Sequence, residues 1–331
     1  MIKKVKILGT GSYLPERIVT SDELDKKLGV ESGWTFKHSG ISNRHFATNE
    51  TASQMGAYAI ENALKNANLT VDDIDCIVCA SASLQQPVPC TATFIQRELG
   101  WEQSKIPCFD ISSVCLSFVV AFDIMSSAIE TGRYKNVILV STEILSHVSN
   151  WDQKESCILL GDGAAAVIIG QSTENETSKI LSARMETYSE GANFAEIRGG
   201  GTKIHSKTYS KETKSDFYFD MHGKNVTKLV ANYFGDFVKK LLTPTDISLD
   251  DIDIIIPHQA SDMSMKVMQI ILNGSEKKFI NILNNRGNMA AASIPLALHE
   301  SITQGKIKRG YKVMLIGGGA GFSLGGIVFE Y

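Results

Sequence analysis

Three residues of this 331-residue chain are of types, and in places, that suit acyl-transfer chemistry: Cys115, His258 and Asn288. Cys115 lies in Phe109-Asp110-Ile111-Ser112-Ser113-Val114-Cys115-Leu116-Ser117-Phe118-Val119-Val120. The stretch before it reads as short and extended. The stretch after it, through Ala128, reads as a helix that is apolar nearly all round and therefore buried. The thiol would then sit at a helix N-terminus, where unpaired N–H groups and the positive end of the macrodipole favour a thiolate. Those N–H groups also suit an oxyanion hole. A small buried hydrophobe is the plainer alternative, and position alone does not separate the two.

His258 follows an apolar run directly, in Ile254-Ile255-Ile256-Pro257-His258-Gln259-Ala260. Groups at the C-terminal ends of strands in α/β sheets commonly meet ligands. A hydrogen-bonded loop histidine fits the same context. Asn288 lies in Gly287-Asn288-Met289-Ala290-Ala291-Ala292-Ser293, a turn leading into small residues that allow close packing. An ordinary cap or turn asparagine is the alternative there.

The elements that must position these residues alternate along the chain. Apolar runs at 137–140, 164–169, 252–256 and 313–316 read as strands buried on both faces, the habit of layered α/β folds. Residues 53–67 and 263–272 read as helices. There is also a repeat. Asp72-Asp73-Ile74-Asp75 returns as Asp250-Asp251-Ile252-Asp253, an offset of 178 (250 − 72). Tyr134-Lys135 returns as Tyr311-Lys312, an offset of 177 (311 − 134). Two matches at nearly one offset predict a duplicated α/β unit, with halves at about 1–172 and 173–331 joined through the polar stretch 171–178. Shifting Cys115 by 178 lands on Ser293, so the duplication predicts two helix starts face to face, with Cys115 near Asn288. The polar stretch 199–215 reads as a long surface loop over a site.

Composition bounds the function. Hydrophobic residues make 43% and charged residues 21%, and the net charge is −3, so no basic excess points to nucleic acid. No apolar run reaches the roughly 18 residues of a membrane span. The basic stretch Ile2-Lys3-Lys4-Val5-Lys6-Ile7-Leu8 is broken at once, which argues against a signal peptide and for a cytoplasmic protein. The six cysteines then read as reduced. Cys76 and Cys79 form C-x-x-C, but on a strand they face opposite sides, and no second pair completes a metal site. Gly161-Asp162-Gly163-Ala164 and Gly317-Gly318-Gly319-Ala320-Gly321-Phe322 allow close backbone approach, without the spacing of a nucleotide-binding loop.

Taken in order, these segments resemble the β-ketoacyl-acyl-carrier-protein synthase III family of the thiolase superfamily. The matching pieces are the Cys115 segment, Gly161 to Ala166, Pro257-His258-Gln259-Ala260, Gly287-Asn288 through Pro295 and the C-terminal glycines. Gly9-Thr10-Gly11-Ser12-Tyr13-Leu14-Pro15 and Gly40-Ile41 to Arg44 fit as well. The resemblance implies a five-layered αβαβα fold, a homodimer and a two-step reaction. Cys115 would take an acyl group from acyl-CoA. His258 and Asn288 would then bind a malonyl thioester on acyl carrier protein as it loses CO2. The amides of Cys115 and Ala320 would form the oxyanion hole. No metal or redox cofactor is implied, coenzyme A entering only as the substrate's thioester.

The resemblance also implies substrate contacts. Trp34 matches an aromatic that stacks on the CoA adenine. His38 and Lys154 stand where arginines meet CoA in housekeeping members, and the exchange alters stacking. Ser261 and Met263 replace an asparagine and a basic residue tied to carrier-protein docking. Val88, in Gln85-Gln86-Pro87-Val88-Pro89, matches a position that reaches into the partner's acyl pocket, and its small size suits a longer or bulkier acyl group. These departures fit a specialised relative. An acyl transfer to oxygen or nitrogen on the same fold, or a non-catalytic acyl-binding subunit, are the competing readings. The intact Cys, His and Asn set favours condensation.

Overall fold

The computed structural model describes residues 2–273 and 277–331. Two sheets form its frame. In the first, the spatial order is Val5–Tyr13, Gly163–Gln171, Asn136–Glu143, Cys76–Cys79, Cys108–Asp110. In the second it is Lys179–Thr187, Ser323–Glu330, Lys312–Gly319, Ile254–Pro257. From the first strand of each list onward, the pairings run antiparallel, antiparallel, parallel. The first sheet adds the parallel pair of Ile77 with Cys108, and the second adds a parallel bridge of Ile255 with Phe279. The same chain plan is thus laid down twice.

The repeated aspartates explain why. In both copies a short 3-10 turn is closed by a capping box, Thr70 with Asp73 and Ser248 with Asp251. Two residues on, Asp75 accepts from the amides of Lys135 and Asn136 at 2.6 and 2.8 Å, and Asp253 accepts from the amide of Lys312 at 2.8 Å. Each fastens the start of one strand to the start of its parallel neighbour. The turn consumes Ile252, so the strand expected at 252–256 runs Ile254–Pro257 instead.

Strand side chains alternate between two cores, as the period of two requires. Val137 and Leu139 point inward, with Cys76 and Val78, onto a central layer. That layer is the helix Ser117–Glu130 and the helix Ser293–Thr303, whose Phe118, Phe122, Ile294 and Leu298 also meet Ile254, Leu315 and Ile327 of the second sheet. Ile138 and Val140 point outward, with Cys79, onto the helix Ala52–Ala67. Met314, Ile316 and Val328 point outward onto Gly223–Leu242 and Asp262–Ile271. Helix, sheet, helix pair, sheet and helix make five layers, the thiolase-like αβαβα arrangement. Each fully buried Leu, Ile or Phe in these layers contributes roughly 1.5–3 kcal/mol. Cys76 and Cys79 lie in different cores on opposite faces of one sheet, so they do not act as a pair.

Candidate active site

Cys115 is not in the helix that follows it. It sits in a 3-10 turn, Val114–Leu116, and the helix begins at Ser117. Val114 takes φ 51°, a left-handed conformation unusual for a β-branched residue. Ser117 holds the bend: its hydroxyl accepts from the Ser113 amide at 2.9 Å and contacts the Val114 and Ser81 carbonyls at 2.7 and 3.1 Å. The second half repeats the device. The turn Ala290–Ala292 precedes the helix Ser293–Thr303, Ala290 takes φ 39°, and the Ser293 hydroxyl accepts from the Met289 amide at 3.0 Å. The two turns pack against each other, so the helix starts do meet. The matching offset is 176 (293 − 117), which pairs Cys115 with Ala291 rather than with Ser293.

His258 leaves the end of Ile254–Pro257 with its amide bonded to the Ile316 carbonyl at 2.8 Å. Gln259 anchors the loop, donating to the Pro257 carbonyl at 2.7 Å and accepting from the Ile282 amide at 2.9 Å. A Cβ on Gly317 would fall 2.6 Å from the His258 Cβ, so the glycine there makes room for the imidazole. Only 2% of His258 is exposed and its Nδ1 has no hydrogen-bond partner. Burial lowers its pKa to about 4, and the ring is neutral.

Asn288 follows Gly287, whose φ is 69°. Its amide donates to the Leu159 carbonyl at 2.7 Å and its own carbonyl accepts from the Gly161 amide at 2.9 Å. A Cβ on Gly161 would lie 2.3 Å from the Arg286 carbonyl. The Gly161-Asp162-Gly163 motif is therefore the bed on which the Asn288 segment lies, joined to it by an isolated bridge of Leu160 with Asn288. Asp162 completes it by accepting from the amides of Leu145, Ser146 and Ala47. The Asn288 side chain donates to the Ala260 carbonyl at 3.1 Å and accepts from the Ala290 amide at 2.9 Å.

Cys115, His258 and Asn288 line one cavity of about 350 Å³, together with Ala320. Its walls are mostly apolar. Leu145, Leu160 and Ala290 cluster with Val148, Phe219 and Cys115 on one side. Cys115 as a whole residue is half-buried. Burial first, and the Glu143 carboxylate second, push the Cys115 thiol up to about 12, while the amides of Ala320 and of Cys115 itself pull the other way. The thiolate expected at a helix N-terminus is thus not the resting form, because the sulfur sits ahead of the helix in an apolar pocket beside a carboxylate.

None of Trp34, His38, Lys154 and Val88 lines this cavity. Trp34 opens the short helix Trp34–Ser39, whose start is fixed by Asp25 accepting from the Gly33 and Thr35 amides. Its ring stacks on His38 at 4.2 Å, one turn on. Lys154 begins the short helix Lys154–Cys157. Val88 is 78% exposed. No residue of the loop expected at 199–215 lines the cavity; the residues flanking it do, Glu196 and Ile197 before it and Phe219 and Met221 after it. Arg198 ties these two flanks together through Asp216 and Asp220, both at 2.8 Å. Phe219 and the buried Glu143 went unread in the sequence. No group of three or more potential metal ligands occurs among the described residues.

The family model for 3-oxoacyl-[acyl-carrier-protein] synthase III matches residues 109–189, and its C-terminal companion matches residues 242–331. A β-ketoacyl-[acyl-carrier-protein] synthase III of Clostridium acetobutylicum is 33% identical over 330 residues, spanning 100% of this chain and 99% of that protein. The chain belongs to this synthase III family. A crystal structure of the synthase III of Aquifex aeolicus superposes with a TM-score of 0.88 at 31% identity, covering 99% of this chain and 100% of that one. The priming β-ketosynthase of the R1128 polyketide pathway gives 0.89 at 26% identity, covering 99% and 96%. This member of the synthase III family is a condensing acyltransferase.

Proposed function

We propose that this condensing enzyme carries an acyl group on Cys115 between two half-reactions. In the first, the Cys115 sulfur attacks an acyl-CoA, the acyl–sulfur bond to CoA breaks, and the thiol proton leaves with the CoA sulfur. In the second, a malonyl thioester on acyl carrier protein loses CO2. The resulting enolate attacks the acyl-Cys115 carbonyl and expels the Cys115 sulfur, which regains a proton. Splitting the condensation this way replaces one hard step by two easier ones. His258, neutral, and Asn288 are hydrogen-bond donors to the malonyl thioester carbonyl as charge develops. The amides of Cys115 and Ala320 face the tetrahedral oxyanion.

What supports this reading is that the three side chains share one apolar-walled cavity, with two backbone amides acting on the sulfur. Leu145, Val148, Leu160 and Phe219 are then the acyl wall. Trp34, His38 and Lys154 are assigned to CoA outside the cavity, and Val88 to the pocket of a second copy in a homodimer. The halves 1–172 and 173–331 divide the work, the first supplying Cys115 and the second His258 and Asn288. No helix among the described residues is long and apolar enough to cross a membrane.

Intact-mass measurement of the purified chain incubated with a panel of acyl-CoAs tests the reading. A single acyl adduct on wild type, missing from Cys115→Ala, is expected. Equal labelling of the two proteins, or no adduct at any chain length, overturns it.

A further inference from the structure

Val114, the residue before the nucleophile, and Ala290 are counterparts. They lie 176 positions apart (290 − 114), the offset that also pairs Ser117 with Ser293. Both take a left-handed backbone, at φ 51° and 39°. Each opens a 3-10 turn that leads into a central helix. In each, the serine hydroxyl accepts from the amide one residue before the left-handed position. The two corners therefore share one backbone design, and the second copy shows that an alanine is enough to make it.

Valine is a poor occupant of that backbone. Its two γ-carbons crowd the main chain, and a positive φ at a β-branched residue is an outlier. Neither packing nor hydrogen bonding in the fold asks for it. Val114 is 37% exposed, where Ala290 is 7% exposed, so the larger side chain is not filling a core. The bond that ties Val114 to Ser117 uses its carbonyl, which any residue supplies. What Val114 does is line the cavity beside Cys115, on a surface shared with Leu145, Val148 and Phe219. Backbone strain that the fold does not need points to a role at the site.

We propose that Val114 is a specificity-determining residue for acyl loading: its branched side chain narrows the cavity beside the Cys115 sulfur and turns away acyl groups that branch at the carbon next to the thioester carbonyl. This rests on the reading of Cys115 as the acyl carrier. A residue adjoining the nucleophile acts on the first carbons of the bound acyl group. The wall of Leu145, Val148, Leu160 and Phe219 acts on the rest of the chain. One methyl group in an apolar pocket is discriminated by about 10–200-fold, so a single valine suffices.

The test is the rate of Cys115 loading, timed by intact mass in separate reactions with isomeric acyl-CoAs. Butanoyl-CoA is compared with 2-methylpropanoyl-CoA, and octanoyl-CoA with 2-methylheptanoyl-CoA, so carbon number is constant within each pair. Wild type loads the straight isomer faster. In Val114→Ala and Val114→Gly the straight-to-branched ratio falls roughly tenfold or more. Val114→Thr, which keeps the β-branch, retains the wild-type ratio. A ratio that is the same in all four proteins, or a wild type that prefers the branched isomers, overturns the proposal. So does a lowered melting temperature or native mass in Val114→Ala with an unchanged ratio, since Val114 would then serve packing or contact between copies. If Val114→Ala does not fold, Val114→Gly decides, because glycine accepts this φ. Adducts with an unchanged ratio count against Val114 alone, whereas no adduct from any of the four thioesters overturns the carrier reading and this proposal with it.

Discussion

The Asn288 side-chain amide donates to the Ala260 carbonyl at 3.1 Å, and Ala260 is two residues past His258. The Ala260 amide in turn bonds the His258 carbonyl at 3.0 Å. The two proposed donors to the malonyl carbonyl are therefore held in one frame, one on the loop after Ile254–Pro257 and the other on the segment bedded on Gly161. Their spacing is set jointly by the backbone of the His258 loop and by the Asn288 side chain, which the Ala260 carbonyl and the Ala290 amide hold in place.

Asn288→Ala removes that link and the acceptor for the Ala290 amide. Loss of one preorganised donor typically costs on the order of 10²–10³ in rate. Release of CO2 from a malonyl thioester is expected to fall by that factor, while acyl loading of Cys115 by intact mass stays within a few-fold of wild type. A variant that loses loading and decarboxylation equally would contradict the division of roles.

Gly317→Ala tests how closely His258 is seated. The added methyl would approach the His258 Cβ to 2.6 Å and its amide nitrogen to 3.4 Å. Overpacking of this kind costs about 1–3 kcal/mol. The chain should fold with a lowered melting temperature, and CO2 release should drop further than loading does. Unchanged decarboxylation would mean the imidazole position is not critical.

The pH dependence of stability separates His258 from Glu143, because their shifts have opposite sign. His258 drops from 6.5 to about 4, so the unfolded chain binds the extra proton between those values. Its contribution is complete above 6.5 and is lost as pH falls toward 4. Glu143 rises from 4.5 to about 7, so the folded chain holds the extra proton. Its contribution is complete below 4.5 and is lost as pH rises through 7. Relative to wild type, the melting temperature of Glu143→Gln should improve on going from pH 5 to pH 8, and that of His258→Ala should worsen. Parallel differences at both pH values would show that neither group is shifted as described.

Phe219 enters the acyl wall from beyond the loop at 199–215, its amide bonded to the Val148 carbonyl at 2.9 Å. Phe219→Ala is expected to open the wall and move the preferred acyl-CoA in the Cys115 loading assay toward longer chains. A shift to shorter chains, or none, would place the acyl group elsewhere in the cavity.

Much of this arrangement was legible in the residues. The double use of Asp-Asp-Ile-Asp exposed the duplication because each copy performs the same fastening with Asp75 and Asp253. Cys115, His258 and Asn288 stood out because each follows or enters an apolar element with a reactive side chain. The register of the duplication was missed by two residues, since the aspartate turns keep an offset of 178 while the bends at Ser117 and Ser293 keep 176. Glu143 was invisible because a lone acid ending an apolar strand looks like a surface cap, and its partners Ala82 and Ser83 are about 60 residues away in sequence. Phe219 lies 104 residues beyond Cys115 (219 − 115), past a polar loop with no period to read. The thiol's resting state depends on pocket burial, which a helix-end argument does not contain.

The matched bends at Val114 and Ala290 carry one more consequence. At an offset of 176 the counterpart of Glu143 is Gly319 (319 − 143), beside the Ala320 amide that faces Cys115. One bend is thus furnished with a buried carboxyl, Glu143, which burial pushes up to about 7 against the pull of the Ala291 amide. The other has a glycine and a sulfur where an anion would be only transient. Two copies of one corner thus carry different groups, a buried carboxyl at one and the Cys115 thiol at the other.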